Sequence, residues 1–408
     1  MEHKPKSGFE HLAKESKLYP QEALLEVKKS KKSLFIGVPK EVRMQEKRVP
    51  LTPNSVKLIV NNGHEVWIET GAGNSSNFTD KEYSDAGAKI AYNHKELFSA
   101  DIILKVEPPT FEEIDMMKTG KTLISALQMG NLDKAYFEKV NSKRISALAY
   151  ELIEDKVGGM PVVRAMSEIA GSSVMLIAAE YLSNVHNGKG VILGGITGVT
   201  PTKVVILGAG TVAEFAARTA LGLGVDIQIF DDHLYKLRRI KHALGQQVST
   251  CTFEPSTLSA SIKDADVVIG ALRAEKGRMR YMVAEDVIAG MKPGSVIVDV
   301  SIDQGGCFET SQVTTHQNPV FTKYGVIHYC VPNIASRVAR TASTALSNIF
   351  TPIMLEISDS GSLEDMIFSH KWFMKGIYAY KGLLANATIG QKTGLKYRDL
   401  NLLIAARF

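Results

Sequence analysis

The apolar run Lys203–Leu207 opens directly into Gly208-Ala209-Gly210-Thr211-Val212-Ala213, and a second run, Asp226–Phe230, ends on an acid, Asp231. Each residue type suits phosphate and ribose chemistry. Gly208 permits a tight turn off a strand. Gly210 lets backbone amides approach a pyrophosphate seated on a helix N-terminus, where the dipole favours negative charge. Ala213 is small enough for close packing of helix on strand. Asp231 lies 231 − 208 = 23 residues beyond the first glycine, near the offset of about 20 for the acid that accepts from ribose hydroxyls. A carboxylate there disfavours a 2′-phosphate, so the pattern predicts NAD in preference to NADP. Arg238 and Arg239 follow closely enough to reach a phosphate. Without its strands, helix and acid, the same turn is an ordinary strand-to-helix connection.

Such a turn needs a parallel sheet around it. Strand-like runs recur at 204–207, 227–230, 265–270, 295–300 and 326–330, and an earlier series lies at 34–38, 65–69, 101–106, 122–127 and 145–150. Helical stretches separate several of them, which is the alternation of an α/β fold with mostly parallel sheets. One helix start is well marked, with Thr52 as cap, Pro53 at the first helical position and Gly63 past the end. Long helices are expected at 163–182 and 337–357, and a mixed helical tail at 358–408. The reading is two doubly wound Rossmann-like domains, the second inserted in the first. Residues 1–33 form an N-terminal extension with a helix at 21–29. Residues 34–163 with 337–408 form a substrate domain, and 164–336 an NAD-binding domain. Ligands of open α/β sheets bind beyond the carboxyl ends of strands, which points to Lys105, Gln128, Arg273 and Asp303.

Composition narrows the class. The 408 residues are 45% hydrophobic and 22% charged, with a net charge of +5, ordinary for a soluble globular protein and too modest to argue for nucleic acid. Three cysteines, Cys251, Cys307 and Cys330, without a Cys-x-x-Cys pair, argue against a disulfide framework or structural zinc and fit the cytoplasm. Uninterrupted apolar runs of about 18 residues are absent, so no membrane insertion is expected. Histidines 64, 316 and 328 have no metal-ligand spacing, and His328 reads as structural.

Several segments in order resemble the alanine dehydrogenase family and its relative, the first domain of the pyridine nucleotide transhydrogenase alpha subunit. They include Ile36-Gly37-Val38-Pro39-Lys40-Glu41, Glu46-Lys47-Arg48-Val49-Pro50-Leu51-Thr52-Pro53, Glu69-Thr70-Gly71-Ala72-Gly73, Leu104-Lys105-Val106, Met166-Ser167-Glu168-Ile169-Ala170-Gly171 and Ile302-Asp303-Gln304-Gly305-Gly306. The resemblance implies a site. Arg48 pairs with the substrate carboxylate, and its planar fork suits that anion. Lys105 contacts the carboxylate and carbonyl side. Asp303 positions water or ammonia beside the nicotinamide. Asn333 lies near the nicotinamide ribose, and Lys236 near the adenosine. It also implies a homo-oligomer, a hexamer in this family.

Three departures qualify the resemblance. Alanine dehydrogenases carry a histidine where this chain has Gln128, and an amide cannot exchange a proton near neutral pH. The segment 333–339 is closer to the transhydrogenase version. The loop 272–278 is basic where relatives are proline-rich. The expected activity is NAD-dependent oxidative deamination of a small L-amino acid, most simply L-alanine, to the 2-oxo acid and ammonium. Lys105 or water then has to carry the protons. The alternatives are a transhydrogenase-like hydride-transfer domain working with a partner subunit, favoured by Gln128, and an NAD-binding regulator without turnover.

Overall fold

The computed structural model describes residues 33–43, 45–128, 132–155, 157–272 and 282–405. The expected helix at 21–29, Arg273 and most of the basic loop lie outside the described residues.

Strands β1 (Phe35–Val38), β2 (Glu65–Glu69), β3 (Lys89–Ala91), β4 (Ile102–Leu104), β5 (Thr122–Ser125) and β6 (Ser146–Ala149) precede a long helix, Pro161–Leu182. There follow β7 (Lys203–Leu207), β8 (Asp226–Phe230), β9 (Ser249–Cys251), β10 (Val267–Gly270), β11 (Val296–Asp299), β12 (Val320–Lys323) and β13 (Val326–Tyr329). A return helix, Ala339–Asp359, leads to β14 (Ile377–Tyr380) and β15 (Leu383–Leu384). Two sheets result, with orders β15-β14-β6-β5-β4-β1-β2-β3 and β12-β13-β11-β10-β7-β8-β9. Pairing is parallel except at β14 and β15 in the first sheet and β12 in the second. Central strands such as β4 and β10 are continuous apolar runs buried throughout, as expected of strands covered by helices on both faces.

The tail corrects the reading from sequence: β14 and β15 extend the first sheet, where only helices were expected. The short edge strands β3, β9 and β12 were also unmarked. Their three or four residues are too few to show a period. Thr52 has the backbone of a helix cap, but its hydroxyl goes to Ser347 and Ser55 and makes no bond to a helix amide.

In each sheet the strand order reverses once. The switch lies between β1 and β4 in the first sheet, and between β7 and β10 in the second. Crevices open at such points beyond the carboxyl ends of strands. The Arg48 segment follows β1, Lys105 follows β4, Gln128 follows β5, and the glycine turn follows β7.

The helix Pro161–Leu182 is long and apolar enough to cross a membrane by length and composition. It is a core helix here, burying Val174, Met175, Ile177 and Ala178. Gly171 sets its fit. A Cβ at that position would stand 2.4 Å from the Val212 carbonyl oxygen of the helix Thr211–Gly222. Only glycine permits that approach, and it ties the connecting helix to the one that leaves the glycine turn.

Candidate active site

The glycine turn is shaped for a dinucleotide. Gly208 has φ +110°, and a Cβ there would meet the Ala271 carbonyl oxygen at 2.6 Å, so a side chain would be both strained and blocked. At Gly210 a Cβ would meet nothing within 4 Å, which leaves open space over the start of the helix Thr211–Gly222. No side chain caps that helix, so its first amides face outward as anion donors. Ala213 is fully buried. Asp231 sits beside the turn. Its Oδ2 accepts from the Ala209 amide at 2.9 Å and its Oδ1 from the His233 amide at 2.8 Å. Lys236 Nζ lies 4.0 Å from Asp231 Oδ2. Arg239 is committed to Glu214 and the Ala209 carbonyl. These residues fit NAD: a cradle for the pyrophosphate and an acid pre-oriented at the ribose position.

The second cluster forms where the loop after β1 meets the return helix and the turn Ile334–Val338 before it. Ser336, Ser343 and Ser347 accept from the amides of Lys47, Val49 and Thr52, each at 2.9 Å. Three small polar side chains thus replace a strand partner and hold Arg48 in register. Arg48 is buried, and its Nε and Nη2 donate to both oxygens of Glu46, at 2.8 and 2.7 Å. Burial alone would raise the Glu46 carboxyl, but the Arg48 charge and its hydrogen bonds hold it at about 2. Arg48 Nη1 meets only the Met166 thioether, at 3.3 Å, among its described hydrogen bonds. A thioether is a weak acceptor, so this edge of the fork keeps donors for a stronger anion. Asn333 donates to Glu46 from a left-handed backbone position, φ +62°, and Ser336 Oγ reaches the same carboxylate at 3.0 Å. Glu46 therefore joins Arg48 of the first sheet's unit to Asn333, beyond the second sheet.

Lys105 is enclosed by carboxylates. Its side chain is 0% exposed, and Nζ is held by Glu113 at 2.7 Å and Glu41 at 3.5 Å. Burial works against its charge, but the two carboxylates more than offset this and raise its pKa. In this geometry Lys105 is an internal strut. Two residues on, Glu107 presents its side chain to Arg48, with Oε1 3.8 Å from Nη2. Gln128 Nε2 donates to Glu107 Oε2 at 2.5 Å. Gln128 is also held by its amide, which donates to Glu151 at 3.1 Å, and takes φ +45°. Glu41 clasps the strand exit by accepting from the Val106 amide at 2.6 Å.

Arg48, Gln128 and Asn333 thus converge through Glu46 and Glu107, with Lys105 behind them. Asp303 lies in the turn Ile302–Gln304 after β11, exposed, and does not join the cluster's described hydrogen bonds. Glu46 and Glu107 were missed from sequence. The available signal was proximity along the chain, since Glu46 stands two before Arg48 and Glu107 two beyond Lys105. His328 is structural, its ring held by Thr310 and the Val326 carbonyl. Among the described residues no group of three His, Cys, Asp or Glu could hold a metal.

Comparison with known proteins gives the family. The model of the alanine dehydrogenase/PNT N-terminal domain matches residues 37–170, and that of the C-terminal domain residues 174–387. An alanine dehydrogenase of Methanococcus maripaludis is 38% identical over 369 residues, covering 89% of this chain and 98% of its own. Alanine dehydrogenase 2 of Staphylococcus aureus is 36% identical over 366 residues, covering 90% and 98%. A solved L-alanine dehydrogenase superposes with a TM-score of 0.82 at 36% identity, covering 87% of this chain and 98% of that one. A transhydrogenase structure from Sinorhizobium meliloti shares the fold, with a TM-score of 0.74 at 23% identity. With the two domain models together matching most of the chain, and with the glycine turn and the Arg48 cluster each beyond its own sheet's switch point, the chain belongs to the alanine dehydrogenase/PNT family.

Proposed function

We propose that this protein is an NAD-dependent amino-acid dehydrogenase that deaminates L-alanine to pyruvate and ammonium. The observation that carries the reading is the likeness to alanine dehydrogenases at 36–38% identity over nearly their whole length. The transhydrogenase-like alternative is not favoured, since that structure is 23% identical against 36–38% for the alanine dehydrogenases. NAD, when bound, accepts the hydride from the substrate Cα. The turn at Gly208, Gly210 and Ala213 would hold its pyrophosphate, Asp231 its ribose and Lys236 its adenosine side.

The remaining roles belong to the chain. The Nη1 edge of Arg48 takes the substrate carboxylate and fixes the orientation of Cα, which converts binding into proximity. Asn333 holds the Glu46–Arg48 pair at the nicotinamide end of the cleft. Asp303 orients the water that attacks the imine. We assign substrate handling to 34–163 with 337–408, and the cofactor to 164–336. The accompanying reading is a soluble, cytoplasmic homo-oligomer, in keeping with three free cysteines. The test is direct. Purified protein with NAD and a panel of L-amino acids at alkaline pH is expected to produce NADH fastest with L-alanine. A faster signal with another amino acid, or none with any, refutes the reading.

A further inference from the structure

We propose that Glu107, with Gln128 as its hydrogen-bond partner, receives the substrate's α-ammonium group and accepts its proton, a transfer the sequence had left to Lys105 or water. The inference rests on the proposed amino-acid dehydrogenase activity. An α-amino acid carries its carboxylate and ammonium on one carbon, so its recognition needs a cation and an anion a few ångströms apart. Arg48 and Glu107 are such a pair, 3.8 Å between charged atoms. Lys105 is already engaged, its ammonium held between Glu113 and Glu41. Gln128 cannot exchange a proton, but its amide donates to Glu107 Oε2, which leaves Oε1, on the side of Arg48 and Glu46, as the oxygen that takes the proton.

The groups around Glu107 set its proton affinity. Glu41, Glu46 and Arg48 face it from the loop after β1, Gln128 from beyond β5, and Tyr150 from beyond β6. Glu41, Glu46, Glu107 and Glu113 are four carboxyls around two cations, Arg48 and Lys105. The excess favours keeping a proton within the cluster. Burial and the Glu46 charge raise Glu107 to about 8, with Arg48 opposing. A base poised there changes state across the working range of a dehydrogenase.

The proton balance is simple. Glu107 carboxylate takes a proton from the α-ammonium and becomes the acid. The freed nitrogen lone pair forms the C=N bond as the Cα–H electron pair leaves with its hydrogen to the nicotinamide acceptor. Water adds to the iminium carbon and releases one proton to solvent. Glu107 returns its proton to the nitrogen of the carbinolamine. The C–N bond then breaks, and the hydroxyl proton leaves with ammonia as ammonium, giving the 2-oxo acid.

Two measurements test this. In the full-length enzyme with NAD, kcat/KM for L-alanine is expected to rise with pH through a midpoint near 8. Glu107→Gln is expected to lower kcat by at least about 10²-fold and abolish that limb, with Glu107→Asp retaining it. An unchanged limb in Glu107→Gln overturns the proposal. The second is infrared titration of ¹³C-glutamate-labelled protein. L-alanine is expected to move one carboxyl titration to lower pH in the wild type and not in Glu107→Gln. A titration indifferent to L-alanine overturns the proposal whatever the turnover. A wild type whose titration responds to L-alanine while producing no NADH refutes the dehydrogenase reading alone.

Discussion

Replacing Lys105 by methionine is expected to destabilise the protein by about 3–5 kcal/mol, the cost of removing one partner from a buried ion pair. The magnitude follows from what remains. Glu113 is 2% exposed and cannot turn to water. Its Oε2 is committed to the Thr110 amide at 2.7 Å in a capping box, so the carboxylate stays where the ammonium was, with Glu41 close by. Methionine fills the volume and removes only the charge. Urea unfolding followed by tryptophan fluorescence is suited to this change. Both tryptophans, Trp67 and Trp372, pack on cores of the first sheet. The midpoint is expected to fall with the slope unchanged. Lys105→Met with Glu113→Gln should regain a large part of the loss, because the orphaned charge is gone. A Lys105→Met protein with an unchanged midpoint and a raised KM for L-alanine would falsify this account and return Lys105 to the substrate.

Three further outcomes are expected. Gly208→Ala, with its φ of +110° and a Cβ placed 2.6 Å from the Ala271 oxygen, should cost about 1–3 kcal/mol and weaken NAD binding measured by calorimetry. Asp231→Ser should raise the Kd for NAD by about 10–100-fold, since the Ala209 amide and the ribose hydroxyls lose a charged acceptor; an unchanged Kd refutes its role. Stability should also depend on pH through the cluster. Glu107 and Glu41 are raised to about 8 and about 7, Glu107 by burial and the Glu46 charge, Glu41 by burial against the pull of Lys105. The folded state therefore binds more protons than the unfolded one between their ordinary value and these. Stability falls as pH rises from about 5 to 8, by at most about 4 kcal/mol for Glu107, and Glu107→Gln should flatten that slope. Glu46, held at about 2, acts oppositely and loses its contribution as pH falls below the ordinary carboxylate range.

Much of the architecture was legible along the chain. The central strands are short, largely apolar runs closed by turn residues, so β1, β2, β5, β7 and β8 appear within a residue or two of their expected places. The cofactor turn was legible for the same reason: its function depends on backbone shape at neighbouring residues, and Gly208, Gly210 and Ala213 encode that shape locally. Strands β14 and β15 were not, because β14 is held by pairing with β6 across more than 220 residues of sequence and β15 by pairing with β14.

By itself, then, the sequence determined the two-sheet fold, the dinucleotide turn with its acid at Asp231, and the choice of Arg48 as the proposed substrate cation. The tertiary structure decided which charges meet there. Lys105 and Glu107 leave the same strand two residues apart. The capping box at Thr110–Glu113 and the acid at Glu41 capture the first. The switch point between β1 and β4 delivers the second to Arg48 and Gln128. Long-range packing assigns those partners, because a buried charge is stable only beside its complement, and local spacing carries no record of which complement that will be.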